Sequence, residues 1–256
     1  MVTRRIALAG FFGWPLAAGA FFGPRPAIAQ EVPMADSLST AQGELRIVPV
    51  RHASLALRWG GTTLYVDPVG GAALYRDLPA PDAILITHGH GDHFDPPTLQ
   101  AIAGDAPILT TREVLGKLPE NLKSRARPLA NGEAGEIAGI ALRAIAAHNT
   151  TPERMNYHPP GLGNGYVLTF GESRVYIAGD TEPTPEMLGL EDIALAFLPM
   201  NLPYTMSPEQ AIAAINTFRP AIIYPYHYSG SDLSGLRAGL ADGIELRLRD
   251  WYPPKA

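Results

Sequence analysis

Apolar residues in this chain occur either in short runs or in longer stretches with helical spacing. Short runs predict strands and helical spacing predicts amphipathic helices, because side chains alternate across a strand but return to one helix face every three to four residues. The predicted strands span 45–50, 54–59, 62–67, 83–87, 108–110, 125–129, 140–146, 165–170, 174–178, 193–198, 221–224 and 244–249. The predicted helices span 96–103, 113–118, 208–218 and 232–240. Strands interleaved with helices in two similar passes predict an α/β protein with two layers of each.

Turn and capping residues agree with this pattern. Gly60-Gly61 separates two predicted strands and is a strong hairpin signal. Before the helix at 208–218, Ser207 has the position of an N-cap and Pro208 that of a first-turn proline. Gln210 completes a predicted capping box with Ser207.

The composition limits the possible chemistry. The 256 residues are 46% hydrophobic, enough for a sizeable core, and the formal net charge is −5. An acidic chain lacks the basic surface of a nucleic-acid-binding protein, so we expect no nucleic-acid partner. The sequence has no cysteine, which excludes disulfides and cysteine nucleophiles. Any metal must therefore be held by histidine and carboxylate side chains.

Residues 1–29 have the pattern of a twin-arginine export signal. Arg4-Arg5 precedes an apolar run of 17 residues that ends at Phe22, and an Ala-x-Ala cleavage-type site follows. The alternative is a retained membrane anchor, but glycines and a proline interrupt the run, whose length is at the lower limit for a span. We expect the signal to be removed, leaving a periplasmic protein without a stable membrane span. The remaining chain is predicted to comprise a flexible leader at 30–43 and one domain at 44–256.

The segment after the predicted strand 83–87 concentrates metal-binding side chains. It reads His88-Gly-His90-Gly-Asp92-His93 and contains three of the chain's seven histidines. Imidazole nitrogens and a carboxylate suit zinc, iron or manganese. On an extended loop, His88 and His90 point the same way, whereas Asp92 and His93 can turn toward a second position. The motif therefore predicts a metal centre and favours one with two ions.

Three further side chains of the metal-binding type follow apolar strands. His148 ends the run 140–147, Asp180 follows Val175-Tyr176-Ile177-Ala178-Gly179, and His227 follows Ile222-Ile223-Tyr224-Pro225-Tyr226. A lone polar residue at a strand end is usually only a satisfied polar group. Four strand ends that each offer a ligand are better explained by a shared cleft, because loops at the ends of strands carry function in α/β proteins.

With these motifs, residues 45–250 resemble the metallo-β-lactamase-fold hydrolase superfamily. The histidine-rich motif at 88–93 matches its most specific signature, and Asp67 after Leu64-Tyr65-Val66 matches the preceding aspartate motif. The resemblance implies a four-layer αββα sandwich with two similar halves. It also implies two divalent metal ions, zinc first, with manganese or iron as the other choices. In that ligand set His88, His90 and His148 hold one ion, Asp92, His93 and His227 hold the other, and Asp180 bridges them.

The resemblance implies a binuclear metal-dependent hydrolase whose metal-bridging hydroxide attacks an ester-type bond, with phosphodiesters and lactones as the expected classes. Asp92 is the candidate for orienting that hydroxide and moving its proton. Asp180 argues against antibiotic hydrolysis, because true β-lactamases of this fold lack the bridging aspartate. Arg51-His52-Ala53-Ser54 resembles the branch that contains ascorbate-6-phosphate lactonase and N-acyl-phosphatidylethanolamine-hydrolysing phospholipase D. That branch implies a small-molecule or lipid-like ester substrate.

Two other functions fit the same residues. An iron-dependent redox enzyme on this fold is disfavoured by His90 at the second motif position and by the lack of a flavin or rubredoxin-like segment. A non-catalytic metal-binding module is disfavoured by the complete ligand set, which a decayed enzyme would be expected to lose.

Five residues outside the ligand set are candidates for supporting roles. Asp67 is a plausible hydrogen-bond acceptor for a ligand histidine. His52 either orients the site or contacts substrate, or it satisfies a buried strand end. His158, in the polar segment after His148, is a candidate oxyanion contact or general acid, unless it is an exposed loop histidine without a role. Asn201 and Tyr204 follow the strand 193–198 and are candidates for facing the cleft.

Overall fold

A computed structural model of the chain describes Met1 and residues 36–252, whose strands form two seven-stranded sheets. The first sheet contains, in chain order, β1 (Asp36–Thr40), β2 (Gly43–Arg51), β3 (Ser54–Trp59), β4 (Thr62–Val66), β5 (Ala83–Leu85), β6 (Ile108–Thr110) and β7 (Ala126–Pro128). The second contains β8 (Ala134–Ile137), β9 (Ile140–Ala147), β10 (Gly163–Phe170), β11 (Ser173–Ile177), β12 (Ile193–Pro199), β13 (Ile222–Tyr226) and β14 (Glu245–Leu246). In each sheet the first four strands pair antiparallel and the last three continue in parallel. This repetition confirms the prediction of two similar halves.

The helices connect the parallel strands. They are α1 (Pro96–Ile102), α2 (Arg112–Lys117), α3 (Glu120–Lys123), α4 (Pro185–Leu188), α5 (Pro208–Phe218) and α6 (Leu236–Gly239), with 3-10 turns at Ala72–Tyr75 and Pro152–Arg154. The predicted capping box is present at the start of α5, where Ser207 and Gln210 each bind the other's backbone N–H.

Alternate side chains of the strands pack into different cores, as the pleat requires. In β3, Leu57 lies in the core between the two sheets, whereas Ala56 lies in the outer core of the first sheet. Leu99 of α1 covers that outer core, and Ile215 of α5 covers the outer core of the second sheet. The layers are therefore helix, sheet, sheet, helix, which confirms the predicted αββα sandwich.

The N-terminal part of the domain differs from the prediction. Residues 30–43 were expected to form a flexible leader, but 36–40 form β1, which pairs with β2 across five residue pairs. Asp36 also accepts two hydrogen bonds from the Arg249 guanidinium, at 2.6 and 2.7 Å. The leader prediction is wrong for this stretch, because edge pairing and a distant ion pair order a polar sequence that carries no local apolar pattern.

The predicted export signal at 1–29 lies outside the described residues, apart from Met1. Within the described part of the chain, no helix combines the length and the apolar character needed to cross a bilayer.

Most other differences between the predicted and the observed helices and strands involve short or polar elements. The strand at Ala134–Ile137 and the single-turn helices at Glu120–Lys123 and Pro185–Leu188 were not predicted. The last helix and last strand are shorter than the predicted 232–240 and 244–249. Elements of two to four residues carry too few positions for a periodic pattern to show.

Candidate metal centre

The predicted site residues lie on turns that follow strands of both sheets. His52 occupies the turn between β2 and β3, Asp67 follows β4, the segment 88–93 follows β5, Asp180 follows β11 and His227 follows β13. His52, Asp67 and His227 have φ of 56°, 44° and 46°. This left-handed conformation costs a non-glycine residue about 1–2 kcal/mol, and it persists where the surroundings impose it. The backbone joins two of these turns directly, since the N–H of His227 donates to the carbonyl of His52 at 3.0 Å.

Asp180 lies at the centre of the site. Its Oδ2 is 3.3 Å from Nε2 of His158 and 3.1 Å from Nε2 of His227, and its Oδ1 is 3.2 Å from Nε2 of His93. Burial alone would raise the pKa of Asp180, but the positive charges of His227 and His93 outweigh it and hold the pKa well below its usual value. The buried carboxylate is therefore ionised.

His88, His90 and His158 form one group of candidate ligands, with nitrogens within 4.8 Å of one another. Nδ1 of His90 is 3.1 Å from Nε2 of His158. Nδ1 of His158 lies 3.0 Å from the carbonyl oxygen of Tyr204, which can only accept a hydrogen bond. Nδ1 of His158 therefore carries the proton in the neutral ring, and its Nε2 lone pair faces the group, as a metal ligand requires.

Asp92, His93 and His227 form the core of a second group, to which His52 also belongs. Oδ2 of Asp92 is 3.3 Å from Nε2 of His227. Burial alone would raise the pKa of Asp92, but hydrogen bonds from His227 and His52 outweigh it and hold the pKa below its usual value. The Asp92 carboxylate is about half exposed, unlike Asp180, so it faces both the cluster and the solvent.

Asp67 holds His93 in place. Its Oδ2 accepts a hydrogen bond from Nδ1 of His93 at 2.7 Å, and the backbone and hydroxyl of Thr87 donate to the same carboxylate at 2.7 and 2.6 Å. With Nδ1 protonated, Nε2 of His93 is directed at Asp180. This is the kind of contact that the sequence predicted for Asp67, and contacts of this kind orient ligand histidines in metal sites.

The surroundings raise the pKa of His227 and His93 but lower the pKa of His88. Burial lowers the pKa of His227, but Asp180 and the hydrogen bonds to Asp180 and Asp92 outweigh it and raise the pKa to about 9. The pKa of His93 is raised well above its usual value by Asp180 and Asp67, again against burial. For His88, burial and the nearby charge of His93 lower the pKa well below the usual value.

The cluster's unpaired atoms fit bound metal ions. Nε2 of His88, Nε2 of His93 and Oδ1 of Asp180 are buried and lack hydrogen-bond partners. Nε2 of His93 and Oδ1 of Asp180 lie 3.2 Å apart without the alignment of a hydrogen bond. Unpaired buried polar atoms are costly, and the ligand atoms of these three residues lie within 4.8 Å of one another, as for a shared cation. Imidazole and carboxylate donors without thiolate suit zinc, manganese or iron.

His148 lies outside these groups. Its Nδ1 donates to the carbonyl of Asn149 at 3.0 Å, and its backbone N–H and carbonyl both bind the hydroxyl of Thr181. Within the described part of the chain, the third histidine beside His88 and His90 is His158. The sequence favoured His148 because it directly follows a strand, whereas His158 follows no strand and reaches the cluster only through the folding of the segment that carries it.

His52 contacts the site through Asp92. Its Nε2 is 3.1 Å from Oδ2 of Asp92, and its Nδ1 is 2.9 Å from the hydroxyl of Tyr252. Burial lowers the pKa of His52, and the hydrogen bond to Asp92 offsets this only in part, so the ring is neutral at pH 7. A carboxylate only accepts, so Nε2 carries the single ring proton and Nδ1 accepts from Tyr252. His52 is therefore a hydrogen-bond donor that orients Asp92.

A cavity of about 230 Å³ opens beside the cluster. It is lined by His90, Asp92, Tyr157, His158, Asp180, Tyr204 and His227. The rings of Tyr157 and Tyr204 meet edge to face at 5.1 Å between centroids. Asn201, the other residue predicted to face the cleft, is not in this lining; its backbone N–H donates to the hydroxyl of Thr205 at 2.9 Å.

Comparison with known proteins agrees with this fold. Residues 61–228 match the family described as the Beta-lactamase superfamily domain. The matched stretch contains all the residues of both ligand groups except His52. The chain therefore belongs to the beta-lactamase superfamily.

Three individual proteins are similar to this chain in sequence or in fold. A UPF0173 metal-dependent hydrolase from Deinococcus radiodurans is 32% identical in an alignment over 183 residues, and the match covers 66% of this chain and 78% of the relative. The crystal structure of a proposed metal-dependent hydrolase from Parabacteroides distasonis has 43% identity and a TM-score of 0.77, covering 84% of this chain and 97% of that one. A metallo-beta-lactamase fold protein from Bacillus subtilis, at 16% identity and a TM-score of 0.64, covers 78% of this chain and 88% of its own and is similar in fold. The predicted superfamily and the predicted enzyme class, a metal-dependent hydrolase, are confirmed. The branch within the superfamily stays a prediction.

Proposed function

We propose that this metal-dependent hydrolase binds two divalent metal ions and cleaves an ester-type bond, with phosphodiesters and lactones as the favoured substrates. One ion would be held by His88, His90 and His158, and the other by Asp92, His93 and His227. The observation that carries the proposal is the position of Asp180, whose Oδ2 lies 3.3 Å from His158 and 3.1 Å from His227. A buried carboxylate between two ligand groups can bridge two ions and offset part of their charge.

When bound, two such ions supply a hydroxide nucleophile at neutral pH, by lowering the pKa of water to about 7, and polarise the bond that is attacked. The chain's own residues orient the reaction. Asp92 faces the cavity and its pKa is held low, so its carboxylate would accept a hydrogen bond from the nucleophile, align it and take part in moving its proton. His52 donates to Asp92 and limits the rotation of its carboxylate.

The volume of the cavity limits how much of a substrate can lie next to the metal centre. Its volume of about 230 Å³ is below the roughly 300–1,000 Å³ of a pocket that encloses a drug-sized ligand. It accommodates the bond to be cleaved and its immediate substituents, and the rest of a larger substrate would extend past Tyr204, which is 46% exposed. Tyr157 and Tyr204 offer an apolar wall for that part, which suits a small-molecule or lipid-like ester.

The test combines metal content with turnover. Protein loaded with zinc, manganese or iron is analysed by mass spectrometry for bound metal and then assayed on aryl phosphodiesters, lactones, N-acyl lipids and a chromogenic β-lactam. We expect two metal equivalents, zinc as the best-retained ion, and hydrolysis of at least one phosphodiester or lactone. The exposed Glu136→Gln variant on β8 serves as the matched control and should behave as the parent protein.

The same experiment separates the two alternatives. A di-iron centre with oxygen-dependent turnover would identify an iron-dependent redox enzyme. Full metal loading without turnover on any ester would identify a non-catalytic metal-binding module. Binding of a single equivalent would contradict the binuclear assignment.

We also propose that the protein is exported to the periplasm by the twin-arginine route. The support is the sequence alone, Arg4-Arg5 before an apolar run and a cleavage-type site. Replacing both arginines by lysine should keep the tagged protein in the cytoplasmic fraction, whereas unchanged periplasmic recovery would exclude this route.

A further inference from the structure

We propose that Glu182 is a positioning residue for His158, acting through the segment of the chain that carries this histidine. The inference rests on the proposed function, in which His158 is a metal ligand. His158 lies on the connection between β9 and β10, whose one regular element is the 3-10 turn Pro152–Arg154. No strand of a sheet holds His158, so other contacts must hold it.

Glu182 provides those contacts at the start of the segment. Its side chain is fully buried, and Oε2 accepts from the backbone N–H groups of Thr150 and Thr151 at 2.7 and 2.5 Å. Oε1 accepts from the hydroxyl of Thr151 at 2.8 Å and pairs with the guanidinium of Arg154. Gln210 of α5 donates to the same oxygen at 3.4 Å. A buried carboxylate with this many donors is rigid, because every rotation would leave donors and a charge unpaired.

A series of hydrogen bonds connects Arg154, the partner of Glu182, to His158. The carbonyl of Arg154 accepts from the side chain of Asn149 at 2.9 Å and from the N–H of Tyr157 at 3.1 Å. The backbone N–H of Asn149 donates to the carbonyl of His158 at 2.8 Å. Asn149 also donates to the carbonyl of Tyr204, the group that accepts from Nδ1 of His158. The ring of His158 is therefore oriented by residues that depend on the Glu182–Arg154 pair.

The position of Glu182 in the chain strengthens this link. Glu182 follows the bridging Asp180 by two residues, and its N–H donates to the carbonyl of His148 at 3.1 Å. One short segment thus supplies the central carboxylate and holds the start of the segment that brings His158 to it. The separation of 3.3 Å between His158 and Asp180 is set from both ends by the same few residues.

The test is a zinc titration monitored by calorimetry, with cobalt as a spectroscopic substitute. Glu182→Gln keeps the size of the side chain but removes its charge, and Arg154→Gln removes the partner charge at a less buried position. We expect each to weaken one zinc-binding step, the step that His158→Ala also weakens, about 10–100-fold, as loss of a residue that orients a ligand does. The other step should stay within about threefold of the parent, and Glu136→Gln should change neither.

A double-mutant cycle separates positioning from general stability. If Glu182 acts through His158, adding Glu182→Gln to His158→Ala should weaken zinc binding no further than His158→Ala alone. Additive losses, or equal losses at both sites in either single variant, would overturn the proposal while leaving two-metal binding by the parent protein intact. Failure of the parent protein to bind two equivalents would instead overturn the proposed function and this inference with it.

Discussion

Nε2 of His158 lies 3.3 Å from Oδ2 of Asp180, and the same oxygen lies 3.1 Å from Nε2 of His227. His158 comes from the connection between β9 and β10, and His227 comes from the end of β13. One carboxylate oxygen therefore joins the two ligand groups. His158 therefore occupies the position for which the sequence predicted His148.

Replacing His158 by alanine and replacing His148 by alanine should give proteins with different metal contents. His158→Ala removes a side chain directed at His88, His90 and Asp180, so we expect loss of about one of two metal equivalents after dialysis. His148→Ala removes a ring that donates a hydrogen bond to the carbonyl of the neighbouring Asn149, so both equivalents should remain. Mass spectrometry of the dialysed proteins measures this, and the opposite pattern would restore His148 as the ligand.

Replacing Asp92 by asparagine should nearly abolish hydrolysis while leaving the fold intact. The amide keeps the size of the side chain but loses the negative charge that faces His227 and His52. We expect kcat to fall by about 10²–10⁴, the range for loss of a group that handles the proton of the nucleophile. Steady-state kinetics at saturating metal measures the fall, with circular dichroism to check the fold. Full activity of Asp92→Asn would contradict the proposed role.

Metal binding at pH 7 should release protons. The pKa of His227 is raised to about 9 and that of His93 is raised well above its usual value, so both rings are cationic before metal binds. A ligand nitrogen must lose its proton, so apparent affinity should rise with pH up to at least about 9, the pKa of His227. Calorimetry in buffers with different ionisation enthalpies gives the number of protons, which we expect to be about two. A pH-independent affinity between 6 and 8 would show that these rings bind metal without losing a proton or do not bind it.

Replacing Asp36 by asparagine should lower stability modestly and in a pH-dependent way. Burial would raise the pKa of Asp36, but hydrogen bonds from Arg249 and Tyr224 and the charge of Arg249 outweigh it and lower the pKa below 3.8. A carboxyl whose pKa is lowered by folding stabilises the fold above its unfolded pKa and loses that contribution as pH falls through its folded pKa.

The cost of Asp36→Asn should therefore be constant above about pH 5 and shrink in stronger acid. Because Arg249 is 40% exposed and solvent screens the pair, we expect at most about 1 kcal/mol at neutral pH. Thermal unfolding of the two proteins from pH 7 to pH 3 measures the difference. A difference that grows in acid would contradict the role of this pair in holding β1.

Local patterns predicted the parts of the fold that repeat along the chain. The strand Ser54–Trp59 and the helix Pro208–Phe218 have the predicted bounds, because an apolar run or a capped amphipathic stretch is complete within the segment itself. The strand Asp36–Thr40 was missed because its order comes from β2 and Arg249, which lie elsewhere in the chain.

The sequence by itself determined the superfamily, the layer order and the donor chemistry of the metal centre, because the motif at 88–93 and the apolar periods are local and no cysteine is available. The tertiary structure decided which distant side chains meet there. His158 joins His88 and His90 because a long connection folds back and is held by buried hydrogen bonds, and His52 becomes a donor because Tyr252 faces its other nitrogen. Such contacts depend on how separate segments pack against each other, and no spacing along the chain encodes them.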